Sequence, residues 1–160
     1  MKRSTDRILT THVGSLPRSQ PVVDMLLRKE RGEAYDADAF ERVMTQGVAG
    51  IVARQAELGV DVVSDGETSK IGYSIYIKDR LSGFGGEDYT PPPHLDLREF
   101  PDYRKKMALL TGPATIRRLC CIGPIAVTDR DAARLDAAQF RAAVDVAKPV
   151  DAFLNAASPG

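Results

Sequence analysis

The chain has 160 residues, of which 43% are hydrophobic and 28% are charged, and its 22 basic residues balance its 22 acidic residues. These proportions are typical of a folded domain with its own core, and the zero net charge does not favour nucleic acid or an anionic membrane as a partner. No run approaches the roughly 18 apolar residues of a membrane span, and the N-terminus lacks the apolar stretch of a secretory signal. The two cysteines are adjacent and do not form an ordinary disulfide, so we expect a reducing, cytoplasmic setting.

A polar turn follows the first predicted element, a short strand at 7–11. The turn has the sequence H-V-G-S-L-P-R at 12–18. Gly14 permits a close backbone approach to a ligand, and turns that follow strands commonly carry sites. The polar side chains that gather there are His12, Ser15 and Arg18.

Two helices separate this turn from the second predicted strand. The first spans 21–32, between a proline that opens it and a glycine that ends it. The second begins at the capping-box pair Asp38 and Glu41 and ends at Gly59. A strand at 60–65 follows at once, and the order of strand, long helical excursion and strand predicts a parallel sheet.

An acidic pair, Asp65 and Glu67, lies just past the end of that second strand, with Gly66 between them to allow a tight turn. At the carboxyl rim of a parallel sheet, an exposed acidic cluster suits a cationic group such as a substrate ammonium. The alternative is that the two carboxylates only cap the following helix. The spacing alone leaves both interpretations open.

The rest of the chain continues the alternation of helices and strands. A helix is predicted over 73–81, a loop insertion over 83–101, a short helix over 101–110 and a buried strand over 119–127. A further helix is predicted to begin at Asp136 and Gln139, with an apolar face of Phe140, Ala143, Val144 and Ala147, before a last strand over 151–157. Within the strand at 119–127, we interpret Cys120 and Cys121 as small core residues.

These elements predict an α/β fold with about four parallel strands in a single partial domain, 1–160. A complete (β/α)₈ barrel needs roughly 250 residues and eight strands. The pattern therefore fits the N-terminal half of such a barrel, and it fits a small doubly wound sheet equally well.

Five segments resemble the cobalamin-independent methionine synthase family, in its catalytic C-terminal domain and its shorter single-domain relatives. They are T-T-H-V-G-S-L-P-R, Q-A-E-L-G-V-D-V-V-S-D-G-E, S-K-I-G-Y-S-I-Y-I-K-D-R-L-S-G-F, C-C-I-G-P-I and F-L-N-A-A-S-P-G. The resemblance implies a (β/α)₈ barrel with a zinc ion that activates a substrate thiol. In the synthases the thiol is homocysteine, and the methyl donor is a polyglutamylated 5-methyltetrahydrofolate.

Carried over residue by residue, the resemblance assigns Gly14 and Ser15 to the turn that contacts the amino-acid end of homocysteine. It assigns Glu67 to the substrate ammonium, and we include His12 and Asp65 among the candidate substrate-binding residues. His12 departs from the synthase pattern and is closer to shorter relatives such as coenzyme M-dependent transferases. The thiol acceptor and the alkyl donor therefore stay open.

The family's zinc ligands are a His-x-Cys pair, a glutamate and a later cysteine, and this sequence has no His-x-Cys. We interpret His94 as a solvated loop residue, and His12 as either substrate-facing or packed against the backbone. We therefore expect this chain alone to bind no zinc tightly and to catalyse no methyl transfer. It would either pair with the missing C-terminal half or self-associate, as part of an enzyme or as a non-catalytic half-barrel module. An unrelated small α/β binding domain is a third interpretation.

Overall fold

The computed structural model describes residues 2–85, 95–111 and 120–156, which form two compact units, Met1–Tyr76 with Asp129–Gly160 and Ile77–Thr128. The helices are α1 (Gln20–Glu30), α2 (Ala37–Glu57), α3 (Tyr73–Lys78), α4 (Leu95–Glu99), α5 (Pro101–Thr111) and α6 (Asp131–Ala147). The strands are β1 (Val62–Ser64), β2 (Phe84–Gly85), β3 (Cys120–Cys121) and β4 (Asp151–Phe153). The architecture is mixed α/β, as predicted.

A short parallel sheet lies at the centre of the first unit. β1 pairs with β4 in parallel, with Val62 opposite Asp151, and Thr11 forms a parallel bridge to Val62 on the other side of β1. The predicted strands at 60–65 and 151–157 are thus confirmed as parallel neighbours, although Ala157 lies outside the described residues. The order across the sheet is Thr11, β1 and β4.

The strand predicted at 7–11 is reduced to the single bridge at Thr11. The carboxylate of Asp61 accepts hydrogen bonds from the backbone N–H of Thr10 at 2.8 Å, from its hydroxyl at 3.1 Å and from Arg7 at 2.7 Å. Since the amide of Thr10 is satisfied by a side chain, it takes no part in a ladder. Ile8, in the same stretch, is 84% exposed.

The first two helices begin and end at local signals. α1 has Pro21 in its first turn, and Gly32 follows it with a φ of 67°, as predicted. α2 is capped by Asp36, which accepts a hydrogen bond from the N–H of Ala39 at 3.0 Å. The predicted cap at Asp38 is therefore wrong by two residues, because the earlier aspartate reaches the first-turn amide.

The core of the first unit packs α2 and α6 against the sheet. Burying such side chains stabilises a fold by about 1.5–3 kcal/mol each. The buried residues of this cluster are Val48, Val52, Val63, Phe140 and Ala143, and a second cluster of Val22, Leu26 and Met44 joins α1 to α2. The apolar face predicted for the last helix is confirmed.

The predicted start of that last helix is wrong. α6 begins at Asp131, and the carboxylate of Asp129 accepts hydrogen bonds from the N–H groups of Asp131 and Ala132 at 2.9 and 3.0 Å. Asp136 lies inside the helix, and its carboxylate accepts a hydrogen bond from the hydroxyl of Tyr76 at 2.6 Å. The spacing of Asp136 and Gln139 therefore does not mark the start of a helix, and Asp136 makes a tertiary contact instead.

The second unit contains the clearest departure from the predicted fold. β3 pairs antiparallel with β2, and Val127 forms an antiparallel bridge to Leu81. The buried parallel strand predicted over 119–127 is therefore wrong, and among the described residues only three segments take part in parallel pairing. Gly123-Pro124 interrupts the apolar run, and proline has no N–H to donate to a ladder.

The cysteines and their neighbours in this segment are exposed, so the prediction that Cys120 and Cys121 are core residues is also wrong. Ile122 is 65% exposed. Gly83 has a φ of 85°, and a Cβ there would lie 2.6 Å from the carbonyl oxygen of Pro124. The positive φ and the close approach to the backbone of Pro124 therefore both favour glycine at this position.

Three predictions concern the middle of the chain. α5 confirms the short helix expected over 101–110, whereas α3 ends at Lys78, before the predicted 81. β2 and α4 fall within the predicted insertion at 83–101, and residues 86–94, with His94, lie outside the described ones. The single partial domain and the insertion stay predictions.

In the described part of the chain, no helix has the length and apolar character to cross a membrane.

Candidate functional site

The turn that follows β1 is built by a buried aspartate. Asp65 is 3% exposed, and its carboxylate accepts a hydrogen bond from the N–H of Glu67 at 3.1 Å. Its carbonyl oxygen accepts hydrogen bonds from the N–H of Thr68 at 3.2 Å and from the hydroxyl of that residue at 2.8 Å. Gly66 and Glu67 both have positive φ, 58° and 55°, so the chain reverses within two residues.

A buried ion pair closes this turn. The ammonium of Lys70 contacts the carboxylate of Asp65, and the two side chains are 3% and 4% exposed. The same ammonium lies 5.4 Å from the ring centroid of Tyr76. The predicted exposed acidic cluster is thus wrong for Asp65. The capping alternative is wrong as well, because α3 begins only at Tyr73.

Glu67 is the carboxylate that the turn presents. Its Oε2 accepts a hydrogen bond from the hydroxyl of Ser15 at 2.5 Å. Its Oε1 accepts from the hydroxyl of Tyr73 at 2.9 Å and from the amide of Asn155 at 3.3 Å. Three separate stretches of the chain therefore converge on one carboxyl group, and Ser15 is exposed to solvent.

These donors favour the ionised form of Glu67. The hydrogen bond from Ser15 lowers the pKa of this carboxyl most, burial opposes it, and Tyr73, Asn155 and Lys70 lower it further. Burial and the contact with Glu67 raise the pKa of Tyr73 to about 12, so the phenol stays protonated as a donor. A carboxylate oxygen has about two lone pairs, and Oε2 accepts one described hydrogen bond, so it can accept another from a cation.

The turn at 12–18 is fastened to the turn after β1. The N–H of Leu16 donates to the carbonyl oxygen of Gly66 at 3.0 Å, and a Cβ on Gly66 would meet Leu16 at 3.1 Å. Gly14 has a φ of 106° and open space where a Cβ would stand. The two turns are thus in direct contact, and the space beside Gly14 is open.

The remaining predicted residue of this turn is His12. Its Nε2 is buried and has no hydrogen-bond partner among the described residues. Neither of its two interpretations is decided by this, so its contact with substrate stays a prediction.

The residues around Glu67 do not fit a zinc site. The groups that contact its carboxylate are a hydroxyl, a phenol and an amide, whereas catalytic zinc takes about three ligands from histidine, cysteine and carboxylate side chains. Within residues 2–85, 95–111 and 120–156, no group of three or more such side chains is placed to hold a metal ion. The arrangement is suited instead to binding a small cation such as an ammonium group.

Tyr73 and Asn155 were missed as site residues. Asn155 follows β4, a parallel neighbour of β1, and the shared carboxyl edge of the two strands was a signal for it. The sequence places Tyr73 only at the start of the helix predicted over 73–81. A cleft of about 290 Å³ lies close by, lined by Arg18, Thr68 and one face of α2, but neither Ser15 nor Glu67 lines it.

Comparison with known proteins defines the class of this chain. Residues 8–88 match the sequence model of a family described as "Cobalamin-independent synthase, Catalytic domain", and the chain belongs to this family. The match includes Gly14, Ser15 and Glu67 but ends before Asn155.

Two relatives and one solved structure show how far the similarity extends. The uncharacterized protein YxjH of Bacillus subtilis is 40% identical over 81 residues, which are 50% of this chain and 20% of YxjH. The 5-methyltetrahydropteroyltriglutamate–homocysteine methyltransferase of Corynebacterium glutamicum strain R is 31% identical over 75 residues, 47% of this chain and 10% of that enzyme.

The solved structure is that of a protein from Listeria monocytogenes described as a candidate vitamin-B12-independent methionine synthase. It is 21% identical and has a TM-score of 0.39, over 59% of this chain and 32% of the other. A TM-score of that size does not establish a shared fold, so the barrel is not confirmed.

Proposed function

We propose that this chain provides the amino-acid end of the thiol-acceptor site in a methyl transfer of the methionine-synthase type. The observation that carries the proposal is the ionised carboxylate of Glu67, hydrogen-bonded to the exposed hydroxyl of Ser15. Membership of the family supports it, and the relative from Corynebacterium glutamicum is named for methyl transfer to homocysteine.

In this proposal Glu67 binds the α-ammonium of the acceptor, and its negative charge at the carboxyl edge of the sheet suits that role. Ser15 orients the carboxylate, and the open backbone at Gly14 lets the ligand approach closely. Asp65 stabilises the turn that carries Glu67, since its side chain is buried and paired with Lys70. His12 borders the same turn as a candidate contact of the acceptor.

We propose that the complete activity needs more than this chain, and the matched segments span 20% and 10% of the two relatives. We propose that the chain forms part of a (β/α)₈ barrel and pairs with a second polypeptide or with another copy of itself. The methyl donor in the complete site would be a 5-methyltetrahydrofolate polyglutamate, and a zinc ion, when bound there, would activate the thiol.

The test is calorimetric titration of the chain with L-homocysteine. Glu67→Gln keeps the shape of the side chain but removes its charge, so we expect binding to weaken by about 1.5–3 kcal/mol, the scale of a hydrogen bond to a charged group. Glu57→Gln is the matched control, because Glu57 is an exposed residue of α2.

Two further ligands sharpen the result. 4-Mercaptobutyrate lacks the ammonium group, and coenzyme M carries a sulfonate and no ammonium. The binding of neither ligand should therefore weaken in Glu67→Gln. An L-homocysteine affinity equal in the wild-type chain and in Glu67→Gln would exclude the proposed role. Tight, Glu67-independent binding of coenzyme M would instead favour the coenzyme M-type acceptor.

A further inference from the structure

The side chain of Arg18, in the turn at 12–18, donates hydrogen bonds to the backbone of the turn after β1. Its Nη2 donates to the carbonyl oxygen of Glu67 at 2.9 Å and to that of Lys70 at 2.6 Å, and its Nε donates to the carbonyl oxygen of Thr68 at 3.2 Å. All three of these acceptors are main-chain atoms. The guanidinium is part-buried, and it therefore constrains the backbone conformation of residues 67–70.

The turn has a conformation that needs such support. Glu67 has a φ of 55°, in the left-handed region that is unfavourable for residues with a Cβ. A planar guanidinium offers several N–H donors in a fixed fork, which a lysine ammonium does not reproduce. Burial lowers the pKa of Arg18, because it disfavours the charged guanidinium. The negative charges of Glu67 and Asp65 oppose this change.

We propose that Arg18 is a positioning residue for the carboxylate of Glu67. By holding the carbonyl groups of Glu67, Thr68 and Lys70, it fixes the left-handed backbone of Glu67. That backbone in turn directs the carboxylate toward its donors and toward the ammonium of an incoming amino acid. This last step rests on the proposed function, whereas the geometry of the turn does not.

The experiment compares the wild-type chain with Arg18→Lys, which keeps the positive charge but cannot span the three carbonyl groups. The carboxyl pKa of Glu67 is measured by ¹³C NMR titration. In Arg18→Lys it should rise toward its ordinary value, because the donors that lower it no longer align. It should stay unchanged in Arg141→Lys, an exposed arginine of α6. Asp61, whose carboxylate contacts Arg7 and Thr10, is the internal reference.

A wild-type pKa for Glu67 in Arg18→Lys would overturn the proposal. If that variant does not fold, exchange of the guanidinium protons in the wild-type chain decides it. The Nε–H of Arg18 should exchange more slowly than that of Arg141, and equal rates would also overturn the proposal. Neither measurement needs a substrate, so both stand if L-homocysteine does not bind. If it binds, Arg18→Lys should weaken it on the order of tenfold, the loss of one hydrogen bond to a charged group.

Discussion

The ion pair between Lys70 and Asp65 offers the sharpest test of how the site is held. Its two side chains are 3% and 4% exposed, so replacing Lys70 with methionine leaves a carboxylate buried without its counter-ion. Breaking a buried pair in this way costs about 3–5 kcal/mol. For a chain of this size each kcal/mol corresponds to about 2–4 °C, so we expect the melting temperature to fall by about 6–20 °C.

The assay is thermal and urea unfolding followed by far-UV circular dichroism. Arg141→Met is the matched control, because Arg141 and Asp145 form an exposed i,i+4 pair on α6, for which about 0.3–0.5 kcal/mol is typical. The double variant Asp65→Asn with Lys70→Met should be more stable than Lys70→Met alone, since it removes the stranded charge and keeps an acceptor for the amide of Glu67. A loss in Lys70→Met no larger than in Arg141→Met would refute the reasoning.

Three further predictions follow from the titrating groups and from the chain as a whole. The difference between the ultraviolet titrations of the wild-type chain and Tyr73→Phe should show one phenol that ionises near pH 12. Any stability that this raised pKa supplies is present below the ordinary pKa of 10, and it is lost as the pH rises through 12. Asp61 has a pKa well below its ordinary 3.8, so its contribution to stability is present above that value and is lost as the pH falls further; unfolding of Asp61→Asn should vary less with acid, and an equally steep profile would contradict this. Purified residues 1–160 should carry less than one equivalent of zinc after mild chelation and should not methylate homocysteine without a second polypeptide, as measured by elemental mass spectrometry, native mass spectrometry and a methionine assay.

The local signals in the sequence were sufficient for most helices and for two parallel strands. These signals are local, because each depends only on residues within the helix concerned or next to it. They are the proline in the first turn of α1, the glycines after α1 and α2, and the apolar face of α6. The order of strand, helix and strand also predicted that β1 and β4 run in parallel. Likewise, the convergence of Ser15 and Glu67 follows from two turns at the same edge of one sheet.

The tertiary structure alone decided the partners of the polar groups. An aspartate looks the same in a sequence whether it caps a helix, pairs with a buried lysine or accepts from a distant tyrosine, and Asp36, Asp65 and Asp136 do these three things. The apolar run around Cys121 could not distinguish a buried parallel strand from an antiparallel ladder, because both need the same side chains.

Asn155 shows where the sequence signal ends: its position after β4 indicated the carboxyl edge of the sheet, but its contact with the carboxylate of Glu67, 88 residues away, is formed only in the folded chain. Periodicity within a segment states which residues share a face of that segment. It does not state which segment lies opposite, because that depends on the packing of α2 and α6 against the sheet. The sequence by itself therefore determined most of the helices, two strands and the acidic residue at the centre of the site, and only the folded chain determined which side chains surround it.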